Sequence, residues 1–277
     1  MTVHVLIPVF NRLAMTKRII TQLRKQVLDE SLEMIVIDDG SSDGTAEFLK
    51  TQADVFTLTG NGNLWWGGAI DLGLKTILGT ENSDEGWVLF MNNDTEIRED
   101  YIQCLLDEAR SHAPAAVGSV VRDYEYPHEL LSVGPLIDPW RFSVMDLGLK
   151  AFAENEVVEV DALAGRGVLY PLEALRLAGG MRPGTFPHYL ADYEVSTRVR
   201  KSGWRLLVAC NATVFSSRDF GSTYRGKRLW DRYFSIRSPS YLPAQVLYWW
   251  GVSGIFERLT FPFRFLAFFI RRQIKKN

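Results

Sequence analysis

Several short stretches gather hard oxygen and amide groups at the ends of apolar runs. Asp38-Asp39-Gly40-Ser41-Ser42-Asp43-Gly44-Thr45 follows the β-rich Leu32 to Ile37, and Asn92-Asn93-Asp94-Thr95-Glu96 follows Gly86 to Met91. Carboxyl ends of strands are where open α/β sheets bind ligands. Asp39 is therefore placed to accept hydrogen bonds from a base or ribose, although the same residues also suit a capped strand-to-helix turn. Asp94 offers the hard oxygen that Mg2+ or Mn2+ prefers, and such ions commonly use one or two protein carboxylates plus substrate phosphates. Here too the alternative is a capped turn opened by Asp94 or Thr95. Two such strand ends on one sheet face one crevice, which favours a site.

Asp192 and Glu194 open a helical pattern over 192–202 in which Val195 and Val199 share a face. Asp192 reads as an N-cap, and the positive end of the helix dipole favours its ionised form. An ionised, positioned carboxylate can act as general base, and the two roles are compatible. The Gly-rich Gly60-Asn61-Gly62-Asn63-Leu64-Trp65-Trp66-Gly67-Gly68-Ala69 opens another helix, whose backbone N–H groups can meet phosphate oxygens. It is not a dinucleotide fingerprint, because Trp65 stands where the third glycine belongs. One of Trp65 and Trp66 lines a sugar or base pocket, or both pack on the sheet.

The elements that must position these groups alternate. Strands are expected at 3–9, 32–38, 55–58, 86–91 and 115–121, with helices at 14–28, 44–53, 68–78 and 98–110, a βαβ pattern implying a mainly parallel sheet flanked by helices. From 122 to 170 the pattern loosens into short strands and loops, with Pro127, Pro135 and Pro139. A helix at 171–178 follows, and a strand pair, 205–209 and 212–215, comes after the 192–202 helix. The chain has 277 residues, 47% of them hydrophobic, enough for one large domain with an appendage. We divide it at 1–220 and 221–277.

Cys104 and Cys210 give neither a disulfide framework nor a zinc spacing, and the amino terminus enters a strand without a signal-like segment. A cytoplasmic location is expected. From Arg218 to Asn277 there are 12 Lys+Arg and 3 Asp+Glu, a local +9 that leaves −11 on the rest of a chain of net charge −2. A basic tail on an acidic body points to an anionic surface as partner, and the acidic body argues against nucleic acid.

Taken in order, these segments resemble family-two glycosyltransferases, the GT-A group that includes rhamnosyl- and galactosyl-type enzymes of surface polysaccharides, over residues 3–215. Pro8-Val9-Phe10-Asn11-Arg12 is similar to the family's opening loop and Asp38 to Thr45 to its nucleotide-binding turn. Asn63 to Gly73 resembles the loop over the nucleotide, with Asn63, Trp66 and Gly68 in its first part, and Asn92-Asn93-Asp94 the DxD-type metal motif. Ala164-Gly165-Arg166-Gly167, followed by Ala178-Gly179-Gly180-Met181, is similar to the acceptor-side segment leading to an acidic pair, here Ala191-Asp192.

The resemblance implies a GT-A fold and an inverting glycosyltransferase with Mn2+ or Mg2+ as cofactor. Asp39 would hold the base of a UDP-, dTDP- or GDP-sugar, with Pro8, Phe10, Asn11, Arg12, Asn63, Trp66, Gly68, Asn92 and Asn93 also at the nucleotide; Asp94 would hold the metal on its diphosphate, and Asp192 would deprotonate a hydroxyl of a glycan or lipid-linked acceptor. Trp65, Gly165, Arg166, His188 and Ala191 would line the acceptor and sugar pocket. Three departures stand out. The metal motif keeps one carboxylate; an alanine precedes Asp192 where an acid is common; and the family's late histidine ligand is replaced by Ser216 or Ser217. His188 is a substitute ligand or an ordinary packed histidine.

The tail has an uncharged run from Tyr241 to Phe256 and an apolar one from Leu259 to Ile270. Both are shorter than the roughly 20 residues that span a bilayer. They read as interfacial helices peripheral on the inner face of the membrane, with Arg271, Arg272, Lys275 and Lys276 on anionic lipid. Packing on the body or in a homodimer is the alternative. A sugar-1-phosphate nucleotidyltransferase and a non-catalytic sugar- or lipid-binding scaffold are the rival functions. Pro8 to Arg12 lacks the glycine that the former usually carries after its first strand.

Overall fold

A computed structural model of the chain describes residues 1–79, 85–148, 156–218 and 229–274. The first half alternates as expected: β1 (Thr2–Val9), α1 (Leu13–Leu23), β2 (Ser31–Asp38), α2 (Thr45–Lys50), β3 (Val55–Thr59), α3 (Trp65–Leu78) and β4 (Trp87–Phe90). Then come β5 (Thr95–Ile97), α4 (Tyr101–Ser111), β6 (Ala115–Asp123), β7 (Leu130–Ser132), β8 (Pro135–Asp138), β9 (Ser143–Asp146), β10 (Val157–Glu159) and β11 (Val168–Pro171). The remaining elements are α5 (Leu172–Leu177), α6 (Ala191–Lys201), β12 (Arg205–Ser216), α7 (Leu229–Phe234), α8 (Leu242–Val252) and α9 (Ile255–Ile274).

Among the described residues the main sheet runs β10-β12-β6-β11-β4-β1-β2-β3, with β5 added to β12 and β7 to β6, while β8 and β9 form a separate hairpin. Strands β1, β2, β3 and β4 are mutually parallel, β11 is antiparallel to both β4 and β6, and β12 is parallel to β6. The carboxyl ends of β1, β2, β4, β6 and β12 therefore share one edge, and the start of β11 joins them there.

The period-two alternation of β1 explains why the sheet is covered on both faces. Val3, Val5, Ile7 and Val9 bury against α1 and α4, with Ile19, Ile20 and Leu105. Leu6 turns to the other face, toward Ile70 and Leu74 of α3 and Val195 of α6. The fold is a mostly parallel sheet flanked by helices, the architecture expected from the sequence.

Several boundaries differ from expectation, among them the end of α2 at Lys50 and the start of α3 at Trp65. Helix α1 stops at Leu23 because tertiary bonds pull the chain out of the helix: Val27 N–H donates to Glu99 C=O at 2.8 Å. Helix α4 starts at Tyr101, after Thr95–Ile97, which pairs with β12. The expected strand pair at 205–209 and 212–215 is one strand, β12, with an irregularity between Ala209 and Thr213.

The boundary drawn at 220/221 lies outside the described residues. Beyond it, α8 and α9 pack on the body around Phe142, in the β8–β9 loop. Its ring lies 5.7 Å from Trp249, 5.5 Å from Phe261, 5.3 Å from Phe265 and 5.4 Å from Phe268. Among the described residues no helix is long and apolar enough to cross a membrane.

Candidate functional site

The shared sheet edge gathers most of the residues singled out in the sequence. At the end of β2, Asp39 is buried and clasps the Gly-rich loop. Its Oδ1 accepts from Gly62 N–H at 2.8 Å, and its Oδ2 from the N–H groups of Leu64 at 2.8 Å and Trp65 at 3.1 Å. A carboxylate has about four lone-pair sites, so Asp39 shapes the loop and keeps little capacity for a ligand. Asp38 helps at the turn by accepting Ser41 N–H at 2.9 Å.

At the end of β1, Pro8 is half-buried and Phe10 stands 57% exposed. Asn11 ties this loop to the β2 turn, donating its N–H to Ser41 Oγ at 2.7 Å and accepting Ser42 N–H at 2.9 Å. The tie holds Asn11 and Arg12 at φ 59° and 65°, an uncommon left-handed pair. It aims the Arg12 guanidinium at Asp94, with Nη1 2.8 Å from Oδ2. Both partners are partly exposed, so the pair is worth at most about 1 kcal/mol and is readily exchanged.

The three residues after β4 and Met91 go three ways. Asn92 Oδ1 accepts the Trp66 indole N–H at 2.9 Å. Asn93 turns inward and is buried, donating to Thr16 Oγ1 at 3.1 Å under α1, which is a packing role. Asp94 faces the edge. Ser216, at the expected histidine position, pairs in register with Thr95, and its Oγ accepts from Arg166 Nη1 at 3.3 Å. Two arginines thus border the Asp94 end of the crevice.

The donor set here suits a divalent ion only in a minimal way. Among the described residues no group of three His, Cys, Asp or Glu side chains forms, and Asp94 is the carboxylate that the Asn92-Asn93-Asp94 turn offers. Mg2+ and Mn2+ accept such sites when substrate phosphates and waters complete the shell. His188 is not part of this end. Its ring lies 5.8 Å from that of Trp65 and 4.5 Å from that of Tyr189.

Trp66 joins the two ends of the site. Its ring runs from Asn92 to beneath Gly165, where a Cβ would sit 2.3 Å from ring carbon Cζ2 and 3.1 Å from Asp192 Cβ. Only glycine fits there, and its N–H donates to Asp192 Oδ2 at 2.9 Å. Helix α3 begins close to the 186–188 segment for a similar reason: Gly67 N–H donates to Pro187 C=O at 2.8 Å, and a Cβ on Gly67 would sit 2.4 Å from Phe186 O. Gly68 is buried beside Leu64, and Asn63 is exposed on the loop.

Asp192 is not the N-cap expected from the sequence. Leu190, at φ 66°, occupies that position, and Asp192 lies in the first turn of α6, accepting Tyr193 N–H at 2.9 Å. Burial raises its pKa above the ordinary carboxylate value. The Gly165 and Tyr193 N–H groups and the Arg166 charge oppose that shift without cancelling it. Ala191 is buried in the core, and Glu194 is taken by Arg198, with Nη2 2.7 Å from Oε2. His188 has a depressed pKa from burial, and its Nδ1 has no hydrogen-bond partner among the described residues.

Two neighbours carried no sequence signal. Tyr189 packs on His188, and the Arg237 guanidinium lies 5.4 Å from the centre of the Trp65 ring. Arg237 comes from the segment between α7 and α8, and nothing local in the sequence places it there.

The family model described as Glycosyl transferase family 2 matches residues 4–142. The chain belongs to that family. Among solved structures, GalNAc-T7 with UDP, GalNAc and Mn2+ has a TM-score of 0.63 and 15% identity, covering 82% of this chain and 44% of that one. The S. aureus TarS structure has a TM-score of 0.55 and 15% identity, covering 78% of this chain and 37% of that one. TarS 1-349 in complex with UDP has a TM-score of 0.53 and 16% identity, covering 78% and 60% respectively. The chain thus spans less than two thirds of each of these, and at such identities the likeness is one of fold. No curated protein matches the sequence.

Proposed function

We propose that the protein is an inverting glycosyltransferase that moves a sugar from a nucleoside-diphosphate donor to an acceptor hydroxyl, with Asp192 as general base. The observation that carries this reading is the Trp66 bridge. One ring hydrogen-bonds Asn92, two residues before Asp94, and also lies under Gly165, whose N–H holds Asp192. The strand end that leads to Asp94 and the glycine that holds Asp192 thus meet on one rigid side chain, which supports the positioning that a single displacement needs.

In this reading Phe10, beside the Asp39-braced loop, offers a stacking face for the base. Arg12 releases Asp94 and, with Arg166, offsets charge on the departing diphosphate. Asp94 would hold a divalent ion, which supplies Lewis-acid neutralisation of the diphosphate when bound. Asp192 is desolvated, which raises its basicity, and its hydrogen bonds from Gly165 and Tyr193 fix its orientation for an acceptor oxygen. Trp65 suits a hydroxyl-rich acceptor, because an aromatic face packs on a sugar ring. A glycan or glycolipid of the cell surface fits that description.

The test is a thermal-shift panel of UDP-, dTDP- and GDP-sugars with Mn2+, followed by product analysis. We expect one base to raise Tm selectively and a nucleoside diphosphate to be released. Release of pyrophosphate would instead mark a nucleotidyltransferase. Absence of both stabilisation and turnover across the panel would leave a binding scaffold.

A further inference from the structure

Helix α9 is apolar on two opposite sides. At about 100° per residue, Phe261, Phe265 and Phe268 fall on one side, and that side packs around Phe142. Ile255, Phe256, Leu259, Phe263, Leu266 and Ile270 fall within an arc of about 100° on the other side. These six are between 49% and 80% exposed. A helix on the surface of a domain needs one apolar stripe. The second, continuous along the helix, calls for a second apolar partner.

Charge identifies that partner. From Ile255 to Asn277 the sequence carries six Lys+Arg and one Asp+Glu, six minus one giving +5. Arg258 and Arg264 flank the helix, 5.6 Å over the ring of Trp250 and 4.5 Å over that of Trp140. Both of these tryptophans are themselves exposed, as amphipathic rings are at a membrane interface. Two copies packed stripe to stripe would bring two +5 segments together, which disfavours a dimer through this face.

We propose that α9 lies in the plane of an anionic lipid surface, its outer stripe in the acyl boundary and the basic residues at its carboxyl end at headgroup level. The opposite side stays locked to the body through Phe142, so the catalytic domain is held against the lipid in one orientation rather than swinging on a tether. The helix lies flat and does not span, in keeping with its mixed composition, with Glu257, Arg258, Arg264 and Arg271 along it. This inference does not depend on which sugar is transferred.

The experiment is flotation of the full chain with vesicles of phosphatidylcholine alone and of phosphatidylcholine mixed with phosphatidylglycerol. We expect flotation with the mixed vesicles, weakened at high salt. F256E and F263E should each reduce partitioning by about tenfold or more, since each removes a buried phenylalanine and adds a repelled charge. Hydrogen exchange on the unsubstituted protein gives a readout free of any folding defect in the variants. Residues 255–274 should gain protection when mixed vesicles are added. The proposal is overturned by wild-type protein that stays with neither vesicle, by flotation that F256E and F263E leave intact, or by unchanged exchange in α9. It is also overturned if the wild type is a dimer in light scattering that F263E disperses.

Discussion

Replacing Asp192 by Asn separates chemistry from folding more cleanly than any other change in this protein. The side chain accepts one N–H from Gly165 and one from Tyr193, both at 2.9 Å. Asparagine keeps the shape and one acceptor oxygen but cannot take a proton. A positioned general base contributes about 10²–10⁴-fold, so transfer should fall by that factor while the donor still raises Tm. In the wild type, kcat/KM should fall as pH drops through a pKa above the ordinary Asp value of about 3.9, because burial favours the neutral acid.

The stability consequence has a definite sign. A carboxyl whose folded pKa is raised binds more protons folded than unfolded. Its contribution is fully present below the unfolded pKa and is lost as pH rises through the folded one. The variant lacks this term, although one N–H losing its acceptor costs it about 1 kcal/mol or more. Tm of D192N minus Tm of wild type should therefore increase with pH through the mildly acidic range. Three outcomes would refute the reasoning: transfer within about threefold of wild type, an acid limb at the ordinary carboxylate position, or a Tm difference independent of pH.

Other substitutions test the frame around this group. G165A places a Cβ 2.3 Å from the Trp66 ring; overpacking of this kind costs about 1–3 kcal/mol, and transfer should fall at least as far as stability, measured by melts and turnover on one preparation. D39A strips the acceptors from Gly62, Leu64 and Trp65. A stability loss of about 2 kcal/mol in denaturant melts, with weakened nucleotide-sugar binding, is expected. F142A removes the ring common to the contacts with Trp249, Phe261, Phe265 and Phe268. A cost of about 3–5 kcal/mol, with faster proteolysis within 235–274, is the expected result. Chelating divalent ions should suppress turnover, and undiminished turnover in chelator would remove Asp94 from its proposed role.

Much of this was readable along the chain because it rests on local periodicity. The β-rich runs ending in Asp38-Asp39 and in Asn92-Asn93-Asp94 announce parallel strands whose ends meet at one edge, since parallel pairing leaves all carboxyl ends on the same side. The family membership follows the same segments.

What a residue does at that edge was decided by neighbours far away in sequence. Asn92 and Asn93 are chemically identical in the sequence, yet one bonds Trp66 and the other is buried against Thr16, because adjacent residues leaving a strand point opposite ways. Asp192 looked like a helix cap. Leu190 caps the helix instead, and burial beside Gly165 makes Asp192 a raised-pKa carboxyl. The pairing of Arg12 with Asp94, the reach of Arg237 to Trp65 and the docking of α9 on Phe142 join distant segments. The sequence alone determined that the apolar tail is helical and basic. Only its packing decided which of its two apolar faces is already covered, because a helix shows both faces in its periodicity and its tertiary partner selects one.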